Sequence, residues 1–316
     1  MSAPRLFFFL LLFGFPLHSG AAVSADDLPG DTIWYMHADL DQLRNTESGK
    51  GIAEWLDAEV VVEISEEFGV DLNAEVDSIT AYSDATNGTV ILIEGPISQE
   101  TQDKILALAV LQGDVDPREY DGNTYYFAGD DEEATGDDEE ATGDDSDPFE
   151  DLEDTAYFTF ALNNKAIIAS SENQLKAMLD SGGKIVGSQS HDGALFVLTA
   201  DVSFVQAGLR TNGLADEDDD GDWESNILRN TEQAALLIAD RSGQIAVEAQ
   251  LKTKDPKMAQ SIGSIVNGLI SLQAFNAELG AEVQSLIENT RVEVNENVLT
   301  ISTVIDADLI VSVLDD

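Results

Sequence analysis

The chain has 316 residues, with 62 Asp+Glu against 15 Lys+Arg and a formal net charge of -47. A surface this negative repels phosphate backbones and anionic headgroups, which excludes DNA and RNA as partners and disfavours adsorption to anionic lipid. The hydrophobic fraction of 43% is that of a folded chain, and the absence of cysteine removes disulfides, thiolate metal sites and cysteine nucleophiles.

The N-terminus reads as a secretory signal peptide over residues 1–25. Met1 to Arg5 carries one positive charge, Leu6 to Leu17 is apolar, and Val23-Ser24-Ala25 is a small-residue cleavage pattern before Asp26. The apolar run is too short to span a bilayer. No later stretch reaches spanning length, so a periplasmic or secreted protein without a transmembrane anchor after cleavage is expected.

Beyond the leader, Ile33 to Leu40 is an apolar strand ending in Ala38-Asp39. His37, Asp39 and Asp41 alternate as ligands on one strand face would, yet no second histidine or Glu cluster accompanies them. Asp39 and Asp41 are better suited to capping a helix that carries Leu43. Trp34, Tyr35 and Met36 on the strand, and Trp55 beside Ile52 and Leu56, read as core. Ile79 to Pro96 follows as a hairpin around Asn87-Gly88, a pair suited to the positive φ of a tight turn, and this explains the glycosylation-type sequence Asn87-Gly88-Thr89. Ser98 then caps a helix that Gly113 ends.

Residues 129–155 form an acidic insert in which Gly-Asp-Asp-Glu-Glu-Ala-Thr is written twice. Such dense like charge buries no apolar surface, and a disordered loop with at most weak divalent-cation affinity is expected. Tyr157 to Ala169 is a second hairpin turning at Asn163-Asn164, and Ser171 with Gln174 forms a capping box opening the helix of Leu175, Met178 and Leu179. Ser188 to Gly193 holds serine, His191 and Asp192, but triad members are set by geometry rather than adjacency and no G-x-S-x-G elbow is present. It reads as a polar linker.

Three segments then recur in the same order. Leu195 to Val202 matches Ile33 to Leu40, each ending in Ala-Asp and an aliphatic residue; Ala235 to Leu251, around Ser242-Gly243, matches the first hairpin; Val292 to Thr303, around Glu296-Asn297, matches the second. Between the last two, Asp255 and Pro256 open a helix striped by Met258, Ile262, Ile265, Val266, Leu269 and Ile270, and Ala307 to Leu314 is expected as a closing helix. The expected fold class is α+β: an internally duplicated unit with mainly antiparallel sheets, helices packed on one face, and a disordered acidic loop. The first repeat spans 26–186 and the second 187–316, the latter with an acidic loop at 215–224.

In that loop Asp216, Asp218, Asp220 and Asp222, with Gly221 at the turn, fit D-x-D-x-D-G. The segment resembles the first half of an EF-hand-type calcium loop, which implies Ca²⁺ as the ion and these four aspartates as its holders. Where that family places its last, bidentate glutamate, this chain has Ile227. No P-loop or dinucleotide fingerprint occurs. The sequence thus points to an exported, non-catalytic module binding an unidentified protein or ligand, with no cofactor required. A calcium-responsive structural module is the alternative, and a carboxylate-dependent hydrolase the second.

Overall fold

A computed structural model describes residues 32–58, 71–84, 88–113, 115–129, 155–185, 193–201, 230–274, 281–307 and 309–310. The expected leader at 1–25, residues 130–154 of the acidic insert, His191, and the expected acidic loop at 215–224 lie outside the described residues. The protein is mixed α+β, and the strand pairs described within each unit are antiparallel. It divides into two compact units, one drawn from Leu28–Asp41 and Leu56–Ser188, the other from Gln42–Trp55 and Gln189–Asp316.

The first unit contains β1 (Thr32–Asp39), β2 (Ser78–Asp84), β3 (Gly88–Glu94), β4 (Val115–Tyr120), β5 (Asn123–Ala128), β6 (Ala156–Thr159) and β7 (Lys165–Ala169), in spatial order β1-β2-β3-β7-β6-β5-β4. In β1 both Trp34 and Tyr35 are buried. The β2–β3 register pairs Asp84 with Gly88 and Ser83 with Thr89. Gly88, at φ 93, is therefore already paired in β3, and Asn87 lies outside the described residues.

Helix α4 (Gln99–Gln112) begins where expected: the Ser98 hydroxyl accepts the Thr101 N–H at 3.2 Å. Helix α5 (Glu172–Asp180) is capped by Ser171, which accepts the Gln174 N–H at 3.3 Å. The reciprocal half of the capping box is replaced, because the Gln174 side chain donates to the Gly88 carbonyl at 2.9 Å and to Asp84 at 3.2 Å. A tertiary bond to the β2–β3 end thus displaces a local one. Leu175 and Met178 on α5 pack with Val90, Leu92, Ile167 and Tyr125, which forms the core of this unit.

The β4–β5 hairpin is absent from the expected plan. Its turn is Asp121-Gly122, with φ 47 and 78, and Tyr120 pairs with Asn123 across it. Positive φ at both central residues matches the right-handed twist of the flanking strands.

The second unit contains α1 (Leu40–Asn45) from Gln42 onward, most of α2 (Gly49–Leu56), β8 (Ala194–Asp201), β9 (Thr231–Arg241), β10 (Gln244–Thr253), α6 (Pro256–Ala274), α7 (Ala281–Glu288), β11 (Arg291–Asn295) and β12 (Val298–Ile305). The short helix α3 (Leu72–Glu75) belongs to the first unit. Gln42 donates to the Ala194 carbonyl at 3.0 Å, and Ser48 donates to Asp240, which holds the α1–α2 segment to this unit. The strand order is β8-β9-β10-β12-β11. Ser242-Gly243, with φ 57 and 89, turns β9 into β10, as expected of a two-residue hairpin.

Asp255 accepts the Lys257 N–H at 2.8 Å and the Met258 N–H at 3.1 Å, which starts α6. Ile262 is buried against Leu299 and Ile301, with Met258 and Val266 beside it, whereas Ile265 and Leu269 of the expected stripe are exposed. Ile245, Ala246 and Val247 are buried in succession. Successive strand residues point to opposite faces, so both faces of β10 are covered here rather than one.

Candidate functional site

The β4–β5 hairpin presents different chemistry on its two faces because side chains alternate along β5. Tyr125 and Phe127 point into the core, each 3% exposed. Thr124 and Tyr126 point the other way and, with Gly122 and Asn123, line a cleft of about 340 Å³ completed by Gln99, Gln102, Asp103 and Leu106 of α4 and by Phe160 and Ala161.

Three aromatic rings form a row along this face. Tyr126 pairs in register with Phe158 and stacks on it at 5.2 Å, and Phe158 meets Phe160 edge-on at 6.1 Å. Thr159 donates to the Thr124 carbonyl at 2.7 Å, which fixes β6 against β5 beneath the row. On the helical wall Gln99 donates to Asp103 at 2.9 Å, and Gln102 donates to the Ile97 carbonyl at 3.2 Å. The lining combines three amides, two hydroxyls, two aromatic rings and one carboxylate, with no cation. Such a wall has the groups to exchange hydrogen bonds with an uncharged polar ligand and to set aromatic rings beside its apolar edges.

The opposite face of the hairpin is held by a charged cluster. Tyr125 donates its phenolic hydrogen to Glu172, Lys176 lies 2.9 Å from the other Glu172 oxygen, and Arg118 lies 3.6 Å away. Arg118 also covers the Phe127 ring at 4.4 Å. Bonds from Tyr125 and Lys176 hold the Glu172 carboxyl below its ordinary range, and burial, with the bond to Glu172, pushes the Tyr125 phenol up to about 12. Tyr120 donates to Asp180 at 3.0 Å, and that bond raises its phenol too. The cluster staples the hairpin to α5 and so positions the cleft on its far side.

The residues singled out in the sequence are placed elsewhere. Asp216, Asp218, Asp220 and Asp222 lie outside the described residues. His37 Nδ1 hydrogen-bonds the Thr80 hydroxyl at 2.8 Å across the β1–β2 pair, and Asp41 lies in the first turn of α1, which buries Leu43. Among the described residues no group of three His, Cys, Asp or Glu side chains is arranged to hold a metal, and no helix is long and apolar enough to cross a membrane. The cleft itself escaped sequence reading because its lining comes from three separated segments without a spacing signature. Asp121-Gly122 was the one signal that could have revealed its hairpin wall.

No protein-family model and no curated protein matches the chain. Solved structures of the protein TP0453 align with the chain over most of their length. Crystal form III matches with a TM-score of 0.44 and 11% identity, covering 94% of this chain and 99% of that one. Form IV matches with a TM-score of 0.46 and 10% identity, covering 94% and 98%. Form I gives 0.39 and 12%, covering 93% and 97%.

Proposed function

We propose that the protein is an exported, non-catalytic binding module of the bacterial envelope or extracellular space, built from a duplicated α+β unit. The cleft between α4 and the β4–β5 hairpin takes its ligand, a small uncharged polyhydroxy compound such as a mono- or disaccharide. The observation that carries this reading is the cleft's lining: amides and hydroxyls beside the Tyr126 and Phe160 rings, with Asp103 the one carboxylate. A glycosidase of the usual kind needs two carboxyl groups flanking the bond, so this lining favours holding over hydrolysis. Duplication is supported by strand order, since β1-β2-β3-β7-β6 and β8-β9-β10-β12-β11 follow one plan and β4–β5 is an addition to the first. Saturation-transfer NMR of the mature chain against a panel of neutral saccharides tests the reading. Transfer to at least one sugar, lost in Phe160→Ala, is expected; no transfer to any sugar, or transfer unchanged by Phe160→Ala, would refute it.

The calcium-responsive alternative rests on a separate feature, the D-x-D-x-D-G spacing of Asp216 to Gly221. It would act through that loop and leave the cleft unchanged.

A further inference from the structure

Among the described strands, β4, whose neighbour is β5, ends the sheet of the first unit, and β11, whose neighbour is β12, ends that of the second. An end strand leaves alternate backbone N–H and C=O groups facing outward, and proteins blunt such edges with proline and charge. In a hairpin with a two-residue turn the residues flanking the turn bond each other, which fixes the residues that face out. In β4, Tyr120 flanks the turn, so Glu119, Pro117 and Val115 face outward. Pro117 has no N–H to offer, and the outward position is where an edge tolerates it. This edge is guarded.

The β11 edge carries charge but no proline. Asn295 pairs with Val298 across the turn, so Val294 and Val292 present their backbone groups outward. Arg291, Glu293, Val294 and Asn295 are all exposed. On one side the strand is held by α6, where a Cβ on Gly263 would stand 2.7 Å from a Val294 methyl. Arg291, Glu293 and Asn295 project from the other side, because side chains alternate.

We propose that β11 pairs antiparallel with β11 of a second copy of this chain, in the register centred on Val292. The occupant follows from the charge order Arg291-Val292-Glu293. About Val292 it is self-complementary: Arg291 of each copy stands opposite Glu293 of the other, twice across the two-fold axis. The neighbouring register, centred on Glu293, would set two carboxylates face to face, and like charges directly opposite destabilise a strand pair. The helices leave room for the pairing. Because α6 lies over the β11–β12 hairpin, the α6 helices of the two copies would stand about two strand spacings apart, roughly 10 Å, and packed helices need about 8–10 Å. With a net charge of -47 on each copy, long-range repulsion opposes association until salt screens it.

Sedimentation velocity of the mature chain over a concentration series in physiological salt tests the proposal. A reversible dimer that weakens as salt is lowered is expected. Arg291→Glu and Glu293→Arg each replace two attractive pairs with two repulsive ones and should weaken the dimer by roughly tenfold or more, and the double variant, which restores opposite charges, should recover it. Val292→Pro removes an outward N–H that β12 does not use, and should abolish the dimer while circular dichroism stays unchanged. A chain monomeric at every concentration, a dimer indifferent to the single swaps, or a double variant that stays dissociated would each overturn the proposal. None of these outcomes bears on the cleft, which lies in the other unit.

Discussion

Tyr125 on β5 donates its phenolic hydrogen to Glu172 in the first turn of α5, and this bond ties the hairpin that walls the cleft to the core helix beneath it. Its pH dependence has two limbs. The folded-state pKa of Glu172 is lowered from 4.5, so its stabilisation is complete above that value and fades as pH falls below it. The Tyr125 pKa is raised from 10.0 to about 12, so its stabilisation is complete below 10.0 and fades across that interval as pH rises. Tyr125→Phe should lower stability by about 1–2 kcal/mol at neutral pH and flatten both limbs. Thermal unfolding across pH checks this, and limbs that stay parallel to the wild type would count against the bond.

Gln174 and Ser171 separate a local cap from a tertiary anchor. Ser171→Ala removes one N-cap acceptor and should cost about 1 kcal/mol. Gln174 is 5% exposed and serves both Gly88 and Asp84. Gln174→Ala should cost more, about 1–3 kcal/mol, because it also leaves the Gly88 carbonyl short of a donor. Urea unfolding of the two variants gives the order directly, and the reverse order would place the stronger bond at the cap.

Gly263 sets how closely α6 lies on the β11–β12 hairpin. A Cβ there would stand 2.7 Å from a Val294 methyl and 3.3 Å from a Leu299 methyl. Gly263→Leu should destabilise by about 1–3 kcal/mol through overpacking. Gly263→Ala should come close to neutral, since the helix-propensity gain of about 1 kcal/mol offsets the shift of Val294. Denaturant midpoints of both variants check the contrast.

The calcium reading makes a separate prediction. Calorimetric titration of residues 26–316 should give saturable Ca²⁺ binding that Mg²⁺ does not reproduce and that Asp220→Ala removes. Equal, unsaturable heats for both ions would leave the acidic loop as solvated surface.

What the sequence revealed follows physical lines. Ser98, Ser171 and Asp255 were legible as helix starts because an N-cap is a local bond between near neighbours. Ser242-Gly243 was legible because the turn requires positive φ. The β4–β5 hairpin was not, although Asp121-Gly122 has the same chemistry, because β4 carries Pro117, Arg118 and Glu119 and lacks the apolar alternation of a half-buried strand. That polarity is the mark of an edge strand. The exposure of Ile265 and Leu269 was also illegible, since helical spacing gives the width of an apolar face but not how much of it the sheet covers.

The measurement that bears most directly on the binding account is amide chemical-shift mapping of residues 26–316 titrated with the saccharide found by saturation transfer. Shifts that saturate and centre on Gln99, Gln102, Asp103, Asn123 and Tyr126 are the predicted result. Saturating shifts centred on any other segment, with these five amides unmoved, would contradict it.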